Sequence, residues 1–539
     1  MPALDFGFGE GRRPWLAPAV LACLAWSCLS TAAAASPAQA YVYRVDGNTL
    51  LRDAQIAQAL KGVPVGAGLQ AIRQAAQRLQ LAYREAGYGT VVVQVPPQTI
   101  LHHEIHLRVI EGRLSQVDVA GLRAFSRANV LRGLPALRLG RVPNLAALDS
   151  ELLMDNENPA KSVRVVFQPG QRLGQVDSLV VVRERPIRQW ALGFDNTGNS
   201  ATGTTRATLA YRDANVLDSD SVLRLRLQAS TDRPADAASL STTLRQPLYD
   251  RHTFLEWSAL LSNTADQPIS TPAGELRFTG KGYSAGVRAL WLQPLLGRYR
   301  QEFFVGVDAR RYRNNCSLGS FGAAGCGAAG VSLDVLPLSL GYQLQRIGGP
   351  MAQVRLVQNL PVGSAGDQAA FDAARPGSSS RYRLLRLDAG GRHGLAAQRR
   401  IDWRVDAQYS AQPLVFAEQF GVGGARSVRG YPQTALVGDS GASGSLQFSL
   451  PLAQPDRGRQ GVAEALRAVT FVDAGTVSDR EGVECQAGRT RCSIWGAGFG
   501  LRMRIQAATL RMDLARAGAT VAGTQRGDWR VHVAIRFAL

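Results

Sequence analysis

The sequence predicts α+β units followed by an all-β transmembrane barrel of about 16 antiparallel strands, and three observations lead there. Helical periodicity is confined to residues 41–186. From about Ile187 to Leu539 the chain consists of segments of roughly ten residues with strict two-residue alternation, the pattern of strands with one lipid face and one water face. An apolar leader precedes both parts.

In the leader, Arg12 and Arg13 stand before an apolar stretch from Trp15 to about Ala35, closed by Ala38-Gln39-Ala40. This three-part layout predicts a signal peptide over residues 1–40, cleaved before Tyr41. Pro18, Pro37 and the many alanines argue against a retained anchor. The rest of the 539-residue chain is too polar for a helical membrane protein, at 45% hydrophobic overall. Cleavage removes Cys23 and Cys28 and leaves Cys316, Cys326, Cys485 and Cys492 in polar, glycine-rich surroundings. Export implies an oxidising compartment, so these four are disulfide candidates. Three pairings can be drawn, and proximity favours Cys316 with Cys326 and Cys485 with Cys492. Neither pair has the CxxC spacing of a zinc site.

The net charge is +19. Its arginines are scattered singly along alternating segments and form no basic run, which fits a cationic, water-lined barrel interior better than a nucleic-acid surface.

Residues 41–115 and 116–186 read as two copies of one small unit. The first has a strand at 41–45, a turn at Asp46-Gly47-Asn48 and a short helix at 52–60. A second helix with Leu69, Ile72, Ala76, Leu79 and Tyr83 on one face follows, ended by Gly87. Strands at 90–95, stopped by Pro96-Pro97, and at 105–110 complete it. The second unit has a strand at 117–119, a helix capped by Ser126, and a helix capped by Asn144 with Leu145, Leu148 and Leu152 on one side. Strands at 163–167 and 177–182 flank the turn Gln168-Pro169-Gly170.

In the C-terminal part, Ile401, Trp403, Val405, Ala407 and Tyr409 alternate with Asp402, Arg404, Asp406, Gln408 and Ser410. Trp495, Ala497, Phe499 and Leu501 alternate with Gly496, Gly498, Gly500 and Arg502. Trp529, Val531, Val533, Ile535, Phe537 and Leu539 share one side of the last segment. A soluble β-sandwich also alternates. The unbroken run of long strands, the aromatics near strand ends and the export signal favour a closed barrel, since lipid does not tolerate open sheet edges.

Catalytic signals are weak. Gly438-Asp439-Ser440-Gly441 copies the surroundings of a serine-protease nucleophile, but the sequence supplies no matching base, and a triad needs one. On a strand, His102, Glu104 and His106 would share a face opposite His103, which reads as a solvated strand and no metal site. No P-loop or dinucleotide fingerprint is present, so no enzyme activity and no cofactor is expected.

Over nearly all of the mature chain the sequence resembles the outer-membrane transporters of two-partner secretion, the haemolysin secretion/activation type. The resemblance rests on Leu79-x-x-x-Tyr83-x-x-x-Gly87-Tyr88, Val95-Pro96-Pro97-Gln98, Glu111-Gly112-Arg113, Asn156-x-Asn158-Pro159, Gln168-Pro169-Gly170 and Leu192-Gly193-Phe194-Asp195-Asn196-x-Gly198. Its most specific element is Glu418-Gln419-Phe420-x-Val422-Gly423-Gly424-x-x-Ser427-Val428-Arg429-Gly430-Tyr431. The resemblance implies that 41–115 and 116–186 are periplasmic POTRA domains and that 187–539 is the barrel, located in the cell outer membrane. It also implies that a loop near 418–440 folds inward, with Val428, Arg429, Gly430 and Tyr431 at its tip. The partner motif is Phe471-x-Asp473-x-Gly475, with Asp473 bridging to Arg429 inside the lumen. The implied partners are a large secreted exoprotein such as a haemolysin or adhesin, taken up unfolded through its N-terminal secretion domain, the outer-membrane lipid, and the barrel-assembly machinery that reads the terminal strand. Many relatives carry a plug helix before the first unit. Here the first strand follows the cleavage site almost at once, leaving the loop as the main obstruction. An outer-membrane protein assembly insertase, which shares the same plan, is the alternative; a diffusion porin and an enzyme on a barrel are more distant rivals.

Overall fold

The computed structural model describes residues 41–539 apart from 64–67, 101, 200–201, 236, 266–268, 272–273, 277–278, 314–330, 454–464, 483, 486–487 and 522. The expected signal peptide, Cys316 and Cys326 lie outside the described residues.

The first unit comprises β1 (Val42–Asp46), α1 (Asp53–Leu60), α2 (Leu69–Glu85), β2 (Val92–Gln94) and β3 (Glu104–Ile110). β3 lies between β1, which it parallels, and β2, which it opposes. Ile72, Ala75, Ala76, Leu79 and Tyr83 recur at helical spacing along α2 and bury that face against Ile105, Leu107 and Val109. Leu69, assigned to the same face from the sequence, is exposed in the first turn of the helix. The edge strand covers 92–94 and not 90–95. The histidine expectation is corrected in part: Glu104 and His106 share one face of β3, but His102 and His103 adopt positive φ in the turn before it, so His102 does not join that face and His103 does not oppose it. The two on β3 pair separately, Glu104 with Arg44 at 3.0 Å and His106 with Asp46 at 2.8 Å.

The second unit comprises β4 (Arg113–Ala120), α3 (Arg127–Arg132), α4 (Leu145–Asp155), β5 (Lys161–Pro169) and β6 (Gln175–Glu184), with sheet order β4-β6-β5. Ser126 caps α3 by accepting from Asn129 N at 3.0 Å, and Asn144 caps α4 by accepting from Ala147 N at 3.0 Å. β4 starts at Arg113, with only Glu111 and Gly112 between it and the end of β3, so the sheet of the second unit begins ahead of residue 116. Glu111 fixes this short joint by accepting from Thr49 N at 2.6 Å and Arg113 Nη2 at 2.9 Å.

The barrel begins with β7 (Arg188–Asp195), β8 (Arg206–Val216), β9 (Ser221–Ser230), β10 (Ala237–Leu248) and β11 (Thr253–Ala265). A small hairpin of β12 (Ile269–Thr271) and β13 (Gly274–Leu276) follows. Next come β14 (Thr279–Leu296), β15 (Tyr299–Arg313), β16 (Leu333–Arg346), β17 (Met351–Leu360), the short helix α5 (Gln368–Ala374), β18 (Arg383–Gly394) and β19 (Arg400–Ser410). A loop hairpin of β20 (Phe420–Val422) and β21 (Leu436–Gly438) precedes β22 (Ser440–Ala453), β23 (Ala465–Ser478), β24 (Arg491–Ile505), β25 (Ala508–Ala517) and β26 (Trp529–Ala538). Leaving out the two small hairpins, 16 antiparallel strands close into one barrel, β26 pairing with β7. Trp403, Tyr409, Trp495, Phe499 and Trp529 project outward into exposed positions, while the alternate residues face the lumen. Among the described residues no helix is long and apolar enough to cross a membrane; the strands do so.

Candidate functional site

The connection from β19 to β22 enters the barrel as the hairpin β20/β21, because its apolar residues have a seat there. Val422, Val428, Tyr431 and Leu436 are buried with Val477, Ile494, Cys492 and Ala517 of the wall. Tyr431 is anchored by its hydroxyl, which donates within reach of Trp495 O at 3.0 Å and Ala519 O at 2.9 Å and accepts from Ala519 N at 2.8 Å. Gly430 has φ +98, a conformation that disfavours any side chain, and its N–H is 3.3 Å from His532 Nε2. The inward glycines of β24 provide the room: a Cβ on Gly496 would lie 2.0 Å from Arg429 O.

At the tip, Arg429 and Asp473 meet in a two-pronged contact, Nε to Oδ2 at 2.6 Å and Nη2 to Oδ1 at 2.8 Å, and Arg429 N adds a third bond at 3.1 Å. Planar guanidinium on planar carboxylate fixes orientation as well as distance. The guanidinium also lies 3.4 Å from the ring centroid of Phe471, adding a cation–π contact. Ser445 Oγ donates to Asp473 at 2.6 Å. Gly475, the last residue of the strand motif, faces Val422 and Val428. The structure thus brings together all the loop-tip and strand-motif residues singled out in the sequence.

It also adds members that sequence reasoning missed. Asp513 on β25 lies 3.5 Å from Arg429, 2.7 Å from Arg502 and 2.8 Å from Arg511. Arg502 shares Gln447 with Arg429, at 3.0 and 3.3 Å. The available signal was an inward-facing acid among arginines on adjacent strands, which gains meaning only once the register is known. At the base of the loop, buried Glu418 accepts from Arg310 at 2.8 Å and Tyr312 at 2.9 Å. Asp439 accepts from Arg375 at 2.6 Å, Leu414 N at 2.8 Å and Arg480 N at 2.8 Å. Ser440, in the protease-like tetrapeptide, exchanges hydrogen bonds with the Ser410 backbone, accepting from its N–H at 2.9 Å and donating to its carbonyl at 3.1 Å. Cys485 and Cys492 are disulfide-bonded beside the hairpin's seat.

A second buried charge cluster joins the periplasmic part to the barrel. Lys161, at the start of β5, has no exposed side-chain surface and lies 2.6 Å from Asp155 and 2.8 Å from Asp220. Tyr249, in the turn between β10 and β11, donates within reach of both carboxylates, at 2.9 and 2.8 Å. Burial and the neighbouring Asp220 push the Asp155 carboxyl up, against the pull of Lys161. Asn158 continues the junction by donating to Ala214 O at 2.7 Å.

Comparisons with known proteins agree with this architecture. Residues 177–503 match the family model described as haemolysin secretion/activation protein ShlB/FhaC/HecB, and residues 41–112 match the POTRA domain, ShlB-type. The chain is 26% identical over 440 residues to the outer membrane transporter CdiB of Escherichia coli O6:K15:H31 (strain 536 / UPEC), covering 78% of this chain and 68% of that one. It is 22% identical to CdiB of Dickeya dadantii (strain 3937), covering 80% and 74%. The solved structure of CdiB from Escherichia coli superposes with a TM-score of 0.74 at 18% identity, over 95% of this chain and 93% of that one. BamA from Haemophilus ducreyi lacking POTRA domains 1–3 superposes with a TM-score of 0.52 at 15% identity, over 93% and 99%, a likeness of fold alone.

Proposed function

The chain belongs to the haemolysin secretion/activation protein family ShlB/FhaC/HecB, and on that premise we propose that the inward hairpin is the gate of its export path. The protein is an outer-membrane transporter of two-partner secretion, with periplasmic POTRA domains and a large exoprotein as its partner. Nothing observed favours the insertase alternative.

In this reading the partner arrives unfolded and adds a strand to an exposed periplasmic sheet edge through its N-terminal secretion domain. The hairpin then leaves its seat and the extended chain passes the lumen. Folding outside biases the direction, with no nucleotide involved. The exported chain is of the haemolysin or adhesin type, surrounding lipid holds the outward aromatic faces, and the barrel-assembly machinery inserts the finished strands through the terminal Trp529–Ala538 segment. Division into two periplasmic units and a barrel, expected at 41–115, 116–186 and 187–539, belongs to the same proposal, with the first boundary drawn back to the Glu111–Gly112 joint ahead of β4.

The observation that carries the reading is the bidentate Arg429–Asp473 pair, which ties a loop to the wall where a passing chain must travel. Arg429→Ala and Asp473→Ala are expected to cut export of the partner while the barrel keeps its heat-dependent shift on electrophoresis. Normal export by both variants would remove the gate from the mechanism.

A further inference from the structure

One buried titratable side chain at the hairpin tip has no part in the Arg429–Asp473 pair. His532, on β26, is 7% exposed and faces the lumen directly opposite Asp513 of β25. Its Nε2 accepts the backbone N–H of Gly430 at 3.3 Å. A backbone N–H can only donate, so Nε2 must offer its lone pair, and the proton of the neutral ring sits on Nδ1.

The tip has little freedom to bond elsewhere. Gly430 takes φ +98, and a Cβ there would lie 3.2 Å from Ala517 N and from Arg516 C, so the backbone is pressed against β25 with its N–H turned toward β26. On one side Tyr431 is fastened to Trp495 O and Ala519 O, and on the other Arg429 to Asp473. His532 is therefore the partner of the middle residue of the tip, between two that hold by their own side chains.

A proton on Nε2 would reverse this contact. Imidazolium is a donor at both nitrogens, so an N–H would face the N–H of Gly430, and a buried backbone donor would lose its acceptor. The guanidinium of Arg429, by contrast, keeps its charge at any pH the protein meets. The charged groups around the ring are Arg429 of the hairpin, Arg511 and Asp513 of β25, Arg530 and Arg536 of its own strand, and Asp195 of β7, which stands opposite Ala534. Because carboxylates are among them, a response to acid must be traced to the ring by replacing the ring.

We propose that His532 is a proton-sensitive latch of the hairpin, whose neutral ring holds Gly430 in its seat and whose cation releases it. The inference deepens the gate reading and rests on it for the link to export. Closure requires the ring without its proton, so by linkage the seated hairpin is favoured at neutral pH and lost as pH falls. His532 acts through Gly430 and is a positioning residue of the gate.

The test uses the full chain in detergent with a nitroxide attached at pH 7.5 to Ala425→Cys in the hairpin, the chain without that substitution being labelled in parallel as the background of its own cysteines. Label mobility is read between pH 7.5 and 4, a range that spans the ordinary imidazole value of about 6.5. With His532 in place, the ratio of mobile to immobile label is expected to rise on the order of tenfold as pH falls, and to return at neutrality. His532→Gln, whose Oε1 can accept from Gly430 throughout the range, should keep the label immobile at every pH. His532→Leu, which has no acceptor, should leave it mobile at every pH. A response to acid that survives in His532→Gln, or a hairpin with His532 that stays immobile down to pH 4, overturns the proposal. Should His532→Leu fail to assemble, His532 against His532→Gln decides alone. Conductance in planar bilayers is recorded on the same chains: a label that loosens with acid while conductance stays at its resting value would sink the gate reading and leave the latch standing.

Discussion

Two charge clusters hold segments of this protein together, and they are built differently. At the periplasmic junction one cation, Lys161, sits between Asp155 and Asp220 with Tyr249 closing the group, and neither Lys161 nor Asp155 exposes any side-chain surface. In the lumen, three arginines and two carboxylates share contacts around the hairpin tip, and Arg511 remains 42% exposed. A buried group with one cation has no substitute when that cation is lost, whereas a buried group with several cations, one of them Arg511 reaching solvent, can re-pair. The first arrangement suits a permanent joint, and the second suits a contact that opens and closes.

The largest expected effect falls on the joint. Lys161→Met leaves two buried carboxylates facing each other and should cost roughly 3–5 kcal/mol, read as a protease-sensitive periplasmic part or failure to accumulate in the membrane. An effect under about 1 kcal/mol would erase the contrast between the clusters. Next comes the gate: Arg429→Ala should lower export by about tenfold or more, ~1.4 kcal/mol of lost function, because buried Asp473 loses its cation, while Arg502 and Arg511 still neutralise Asp513 and the barrel survives. Gly496→Val tests the same gate without touching a charge. Its Cβ would lie 2.0 Å from Arg429 O, so the hairpin must shift, and a higher resting conductance in planar bilayers is the expected readout. A wild-type conductance would mean that the hairpin does not set the resting pore.

The smallest effect concerns pH. Glu151 in α4 is pushed up to about 7 by burial, against the backbone bond from Ala136 and the charge of Arg138. A carboxyl raised in the folded state contributes stability below its unfolded pKa that is lost as pH rises through the folded one. The helical circular dichroism of the full chain, which comes mostly from the periplasmic units, should therefore melt at a modestly lower temperature at pH 8 than at pH 5. Glu151→Gln should reduce that difference, and an unchanged difference would assign it to other groups.

Much of the fold was legible because it is written locally. Alternation over 401–410 sets which side chains meet lipid whatever the neighbouring strands do, and the apolar spacing of Ile72, Ala76, Leu79 and Tyr83 sets the buried face of α2. Where local pattern misled, a turn intervened: His102 and His103 look like strand residues but take left-handed backbone before β3. Lys161 left a faint trace, as one of the chain's few lysines among many arginines, and a compact ammonium fits between two carboxylates where a guanidinium fork would not.

By itself the sequence determined the class of the molecule: exported, two small α+β units, then a barrel whose faces are fixed by a period of two. Tertiary structure decided which charges meet. Asp513 reaches Arg429 only through the register of β24 and β25 and the descent of the hairpin, and Asp220 and Tyr249 reach Lys161 only because two barrel turns close over the second unit. Periodicity is a property of neighbours in the chain and survives any arrangement of elements. Pairing of charges far apart in sequence depends on closure of the whole barrel, which no local pattern encodes.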